Sequence, residues 1–79
     1  MNERISINPN VCHGKPVIAN TRVLVSNILT DLADGKTIDE ILVDYPSIRG
    51  DDVRAALQFG SELAGFETYE RQRHSSTQL

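Results

Sequence analysis

TIDEILVDYPSIRGDDVRAALQFGSELA, residues 37–64, is the stretch that decides the fold. Thr37, followed three positions later by Glu40, carries a capping-box signature and opens a helix. Ile38, Ile41, Leu42 and Tyr45 form its apolar stripe. Pro46 prevents easy continuation and pushes Tyr45 away from helical geometry. A longer helix is predicted to begin near Gly50 or Asp51, because Asp51 and Asp52 in a first turn suit the positive end of the helix dipole. Val53, Ala56, Leu57, Gly60 and Ala64 follow i, i+3, i+4 spacing, and the small Ala56 and Gly60 suit close approach of another helix. Gly65 is the expected end of this helix.

With a turn at Ser47, the residues Leu42, Ile48, Val53 and Ala56 fill the four apolar slots of a helix-turn-helix. Val43 stands where that motif usually has a small residue, and Ser47 where it has Gly. The second helix is then expected to present Arg49, Asp51, Arg54, Ala55 and Gln58 to solvent. Arg49 and Arg54 are candidates for phosphate or guanine, and Gln58 for adenine, whereas Asp51 repels phosphate. The plainer alternative is a three-helix core with a solvated face.

Upstream, Ser26 is a plausible N-cap for a first helix in which Ile28, Leu29 and Leu32 share one face and Thr30, Asp31 and Asp34 the other. Gly35 falls where a left-handed residue ends that helix. Residues 4–7 alternate polar and β-branched side chains, and Val17-Ile18 and Arg22-Val23-Leu24-Val25 are two further β-leaning pieces. Asn20, between them, is the best candidate for a positive φ. The chain therefore reads as mainly α, a three-helix helix-turn-helix core with a short N-terminal β ribbon or arm. Residues 1–25 form the arm, packed on the same domain, residues 26–65 the core, and residues 66–79 a tail. Phe66 and Tyr69 offer a further packed turn, and the polar residues 74–79 are expected to be disordered. A ribbon-helix-helix, with Arg22 as base reader, is a competing geometry. It leaves Leu24 on the DNA-facing side of the strand and has no use for a third helix.

The chain has 79 residues and a net charge of −3, so it has no general attraction for nucleic acid. The charge is uneven: Arg4, Lys15 and Arg22 make the arm basic, while the helices carry a large excess of carboxylates. Aromatic residues make up 5% and Trp is absent, lean for a small lone domain, which makes a homodimer the expected state. The single cysteine, Cys12, rules out an internal disulfide framework and fits a reducing compartment. No apolar run approaches the roughly 18 residues of a membrane span, and no secretion signal is visible, so the cytoplasm is the expected location and no membrane contact is expected.

Cys12-His13 is a tempting metal or nucleophile pair. Structural zinc needs four ligands, and the other histidine, His74, lies in the tail. Gly14-Lys15-Pro16 lacks the frame of a phosphate loop, and Pro16 removes an amide that would hold phosphate. Asp39/Glu40 and Asp51/Asp52 are helix-start charges rather than acid–base pairs. No catalytic, metal or cofactor site is expected, and the protein is not expected to be an enzyme.

Residues 7–9 (INP), 12–23 (CHGKPVIANTRV), 32–35 (LADG), 38–42 (IDEIL), 44–46 (DYP) and 51–57 (DDVRAAL), in that order, resemble the family labelled "domain of unknown function 433". The resemblance covers about residues 5–64. It implies a homeodomain-like helix-turn-helix fold, and a small prokaryotic antitoxin candidate encoded beside a PIN-like ribonuclease toxin. The implied role is to neutralise that toxin and repress the shared operon by binding operator DNA. His13 and Asn20 stand where the family commonly has Gly, Ala19 replaces a common Arg, and Arg49 takes the place of a usual Thr N-cap.

Two sets of candidates follow. Arg4, Lys15, Arg22, Arg49, Arg54 and Gln58 are the DNA candidates. Asp31, Asp34, Asp39, Glu40 and Asp44 form the candidate contact for a partner, because a ribonuclease that grips RNA is basic around its site and a negative surface complements it. The alternative from another class is a protein-interaction or structural module that never touches DNA.

Overall fold

The computed structural model describes residues 2–75, with side chains described as far as residue 65. Strand β1 (Ile5–Ser6) pairs antiparallel with β2 (Val17–Ile18) in the register Ile5↔Ile18 and Ser6↔Val17. Three helices follow: α1 (Val25–Ala33), α2 (Ile38–Asp44) and α3 (Gly50–Ser75). The fold is thus a mainly helical small domain with a two-stranded N-terminal sheet.

The chain between the strands is held by local turns. The Asn8 side chain accepts from the Asn10 amide at 2.8 Å. A short 3-10 turn spans Cys12–Gly14, with Cys12, His13 and Gly14 all at positive φ (50°, 59° and 80°). After β2 the chain reverses at Asn20, whose φ of 65° is the left-handed value that its short polar side chain tolerates. Thr21 locks this turn. Its hydroxyl donates to the Ile18 carbonyl at 2.7 Å and accepts from the Val23 amide at 3.0 Å.

The third β-leaning piece is shorter than its composition suggests. Of residues 22–25, Leu24 makes an isolated bridge to Val17, and Val25 already belongs to α1. Leu24, not Ser26, is the N-cap, and it makes no side-chain cap bond. The cause is tertiary. The Val25 amide donates to the Pro16 carbonyl at 3.0 Å, which ties the first turn to the sheet and sets the N-cap two residues before Ser26.

The other helix ends follow local chemistry. At the end of α1 the Gly35 amide donates to the Leu32 carbonyl and the Lys36 amide to the Asp31 carbonyl, both at 3.0 Å, with Gly35 at φ 93°. This is a Schellman closure, and the left-handed residue it needs is Gly. Thr37 and Glu40 cap α2 reciprocally. Helix α3 does not end at Gly65 but continues to Ser75. Gly65 has open space where a Cβ would stand and no positive φ, so it acts as an ordinary helical residue at a cost of about 1 kcal/mol. The expectations for the side chains of Phe66 and Tyr69 and for residues 76–79 lie outside the described residues.

Ile5, Ile18, Val25, Ile28, Ile41, Ile48, Val53, Ala55 and Ala56 form the buried core. Leu29, Leu32, Ile38, Leu42, Tyr45 and Phe59 pack against it. Three of the four apolar helix-turn-helix slots, Ile48, Val53 and Ala56, are therefore buried, and Leu42 is partly so. Leu57 departs from the stripe assigned to it and is 44% exposed.

Candidate interaction surface

The amino end of α3 is where a helix-turn-helix would meet DNA, and here two of its three arginines, Arg4 and Arg54, are held by Asp51 and Asp52. Arg49 sits at the N-cap with no acceptor of its own to offer. Asp52, three residues on, makes the reciprocal half of a capping box instead, and its Oδ2 accepts from the Arg49 amide at 2.9 Å. Its other oxygen, Oδ1, accepts from Nη1 of Arg4 at 2.9 Å. Asp52 is 8% exposed, so both bonds lie in a partly desolvated setting where a charged hydrogen bond is strong. Asp51, on the solvent side, takes Arg54 Nη1 at 2.9 Å and lies 3.6 Å from Arg4 Nη2.

Residues 2–4 lie across this turn. The Asn2 side chain donates to the Ala55 carbonyl at 3.3 Å. Ala55 is consequently buried, against the expectation that it faces solvent. Asn2 carried no sequence signal for this role, because a contact spanning 53 residues leaves no local trace.

The basic candidates divide by place. Arg4, Arg54 and Gln58 line one open hollow together with Asn2, Glu3, Asp51 and Ala55. Arg49 lines a neighbouring hollow with Arg4, Asn20, Asp51 and Asp52. Arg22 lines a third, with Ser6, Asn8, Val11, Val17, Asn20 and Thr21. Lys15 is exposed at the end of the left-handed turn. The fold therefore brings Arg4, Arg54 and Gln58 together, but with carboxylates among them, and Arg22 belongs to a separate hollow.

The acidic candidates divide as well. Lys36 Nζ is 2.8 Å from Asp44 Oδ2 and 4.0 Å from Asp31 Oδ1, so it gathers the end of α1 to the end of α2. The hydrogen bond to Asp44 and the charges of Asp31 and Asp44 raise the Lys36 pKa above its ordinary value. Glu40 is engaged in the Thr37 cap. Asp34 and Asp39 are exposed and form no ion pair among the described residues. Val43 stands between Asp39 and Asp44 on α2 and is 79% exposed. The slot that a DNA-reading motif fills with a small residue here holds a Val in open solvent.

Cys12 and His13 sit on the left-handed turn, where the Cys12 thiol donates to the Arg22 carbonyl at 3.8 Å. Among the described residues, no three His, Cys, Asp or Glu side chains gather as metal ligands. Nor is any described helix long and apolar enough to cross a membrane.

Residues 5–60 match the family described as "Protein of unknown function (DUF433)". The chain belongs to the DUF433 family. A solved DUF433 member protein from Anabaena variabilis superposes on it with a TM-score of 0.73 and 30% sequence identity. That match covers 85% of this chain and 66% of the Anabaena protein, so the present chain spans slightly under two thirds of its solved relative. No curated protein matches it. The DUF433 match stops at residue 60, four residues before the resemblance read from the sequence stops and well before α3 ends.

Proposed function

We propose that this DUF433 chain is an antitoxin-like binding protein that acts through protein contact, neutralising a ribonuclease toxin of the PIN-like kind without catalysis of its own. One observation carries the choice of protein over DNA. Of the three arginines around the start of α3, Arg4 and Arg54 are paired with Asp51 and Asp52, and the exposed Arg49 side chain alone forms no ion pair among the described residues. A phosphate approaching that turn meets carboxylates and must displace existing ion pairs. By contrast, Asp39, one turn before the exposed Val43 on α2, and Asp34 at the end of α1 are exposed and form no ion pair among the described residues. That combination of negative charge and one apolar anchor suits a basic protein surface. The cytoplasm is the setting in which such a pair would work.

The test is calorimetric titration of the chain against the ribonuclease encoded beside it, with an RNA-cleavage assay in parallel. Binding with loss of cleavage is expected. Asp39→Lys should weaken both by at least about tenfold, since like charges then face each other. Full inhibition by Asp39→Lys would remove this surface from the reading, and no binding by the wild type would remove the toxin.

Operator DNA is a second reading, supported by the shared hollow of Arg4, Arg54 and Gln58. Retardation of the protein's own promoter at low salt, relieved by Arg54→Ala, is its expected signature. No retardation at low salt, where phosphate contacts are strongest, ends it.

A further inference from the structure

Of the hollows that hold Arg54, Arg49 and Arg22, the last is set apart by charge. The first contains Glu3 and Asp51, and the second Glu3, Asp51 and Asp52. The Arg22 hollow, about 370 Å³, is lined otherwise by Ser6, Asn8, Val11, Val17, Asn20 and Thr21, none of them acidic. Arg22 is exposed and forms no ion pair among the described residues. The Asn8 side-chain oxygen is taken by the Asn10 amide, which leaves its NH2 group for another acceptor. Among the described residues, the Arg22 guanidinium, the Ser6 hydroxyl and the NH2 groups of Asn8 and Asn20 donate no hydrogen bond. Arg22 also sits on an ordered support. The turn that carries it is closed by the Ile18 amide on the Val23 carbonyl at 2.9 Å, and Thr21 is fixed by its hydroxyl bonds to Ile18 and Val23. The Arg22 carbonyl accepts from the Cys12 thiol, which joins it to the left-handed turn that follows Val11. Cys12, His13 and Asn20, all non-glycine and all at positive φ, lie in these two turns. Strain of this kind persists where the surroundings over-determine it, and it collects at segments that hold ligands.

We propose that this hollow binds a small organic carboxylate with a short hydrocarbon stem. The planar guanidinium matches a carboxylate through a pair of parallel hydrogen bonds. Its single positive charge balances a single negative charge, whereas a phosphate monoester carries about −2 near neutral pH and meets only this one cation in the hollow. Ser6, Asn8 and Asn20 supply further donors for the lone pairs the guanidinium leaves over. Val11 and Val17 give the stem an apolar wall, which a phosphodiester flanked by sugars would leave unused. A support ordered beforehand loses little freedom when the ligand arrives. The site stands apart from the toxin reading, since it uses neither α2 nor Asp34 and Asp39.

The test is titration of the full chain, followed by amide chemical shifts, with the sodium salts of butyrate, acetate, dimethyl phosphate and chloride at matched ionic strength. Butyrate should saturate, with shifts centred on Ser6, Asn8, Val11 and residues 20–22. It should bind at least about threefold tighter than acetate, because its extra methylenes meet the valines. Arg22→Met should weaken butyrate by at least about tenfold while the rest of the amide spectrum is retained. Arg22→Lys keeps the charge but loses the planar fork, and should weaken butyrate by at least about threefold. That variant remains decisive even if Arg22→Met does not fold. No saturation by butyrate, the same shifts with chloride, acetate binding as tightly as butyrate, or full affinity in either variant would each overturn the proposal. Tighter binding of dimethyl phosphate would overturn it too, and would assign Arg22 to a nucleic-acid backbone instead.

Discussion

Arg4 and Asp52 are 48 residues apart in the chain and 2.9 Å apart in the fold. The same carboxylate accepts the Arg49 amide, so one side chain both closes the amino end of α3 and fastens the N-terminal arm to it. The pairing is unequal. The Asp52 side chain is nearly buried and the Arg4 side chain half-exposed, so the aspartate is the costlier of the two to remove.

Asp52→Ala should therefore lower stability by about 2–3 kcal/mol, since it removes a helix cap and a partly buried charged hydrogen bond together. Arg4→Met should cost about 1 kcal/mol or less, because the cap survives and Arg4 keeps much of its solvent. Urea denaturation of the two variants checks the order. Equal losses would mean that the ion pair alone, and not the cap, matters.

His13 holds φ 59° beside Cys12 at φ 50°, a left-handed run that L side chains resist. His13→Gly should stabilise the chain by about 1 kcal/mol, the relief of one left-handed non-glycine residue less the entropy glycine adds to the unfolded state. A rise in the thermal midpoint is the expected readout. A fall would show that the imidazole makes a compensating contact.

Thr37 accepts the Glu40 amide at 3.1 Å, and Glu40 accepts the Thr37 amide at 2.8 Å. Removing the hydroxyl with Thr37→Ala should cost about 1 kcal/mol. Thr37→Ser keeps the acceptor and should cost little. Chemical denaturation of the pair separates capping from bulk packing, which would penalise both.

Lys36 has its pKa raised by the hydrogen bond to Asp44 and by the charges of Asp31 and Asp44. Its ammonium is favoured more in the folded state than in the unfolded one. The stability this contributes is fully present below the ordinary lysine pKa and fades as pH rises through the higher folded value. Lys36→Met should therefore be less stable than wild type at neutral pH, and the gap should close in strong alkali. Because the group is exposed, added salt should narrow the gap as well. A difference that does not change with pH or salt would trace the effect to the lost alkyl stem instead.

Much of this fold is legible along the chain because its signals are local. The Thr37–Glu40 box, the Gly35 closure, the stop at Pro46 and the acidic start of α3 each depend on atoms a few residues apart. Asn20 is legible for the same reason, since its side chain and its turn are one local event. Leu24 as the start of α1 is not, because a bond from Val25 to Pro16 places it. The run of helix past Gly65 is not either. Glycine permits both a helix end and a helix interior, and here no left-handed turn follows it.

The candidate site divides in the same way. By itself the sequence determined which residues carry charge, which stripes are apolar and which family the chain resembles, because residue type and spacing are enough for these. Only the tertiary structure decided what the charges do. It set Arg4 on Asp52 and Arg54 on Asp51, laid Asn2 over Ala55, and left Val43 and Leu63 in solvent. A charge is available to a partner only if no nearer opposite charge holds it, and that nearness is a distance in space, which spacing along the chain does not encode.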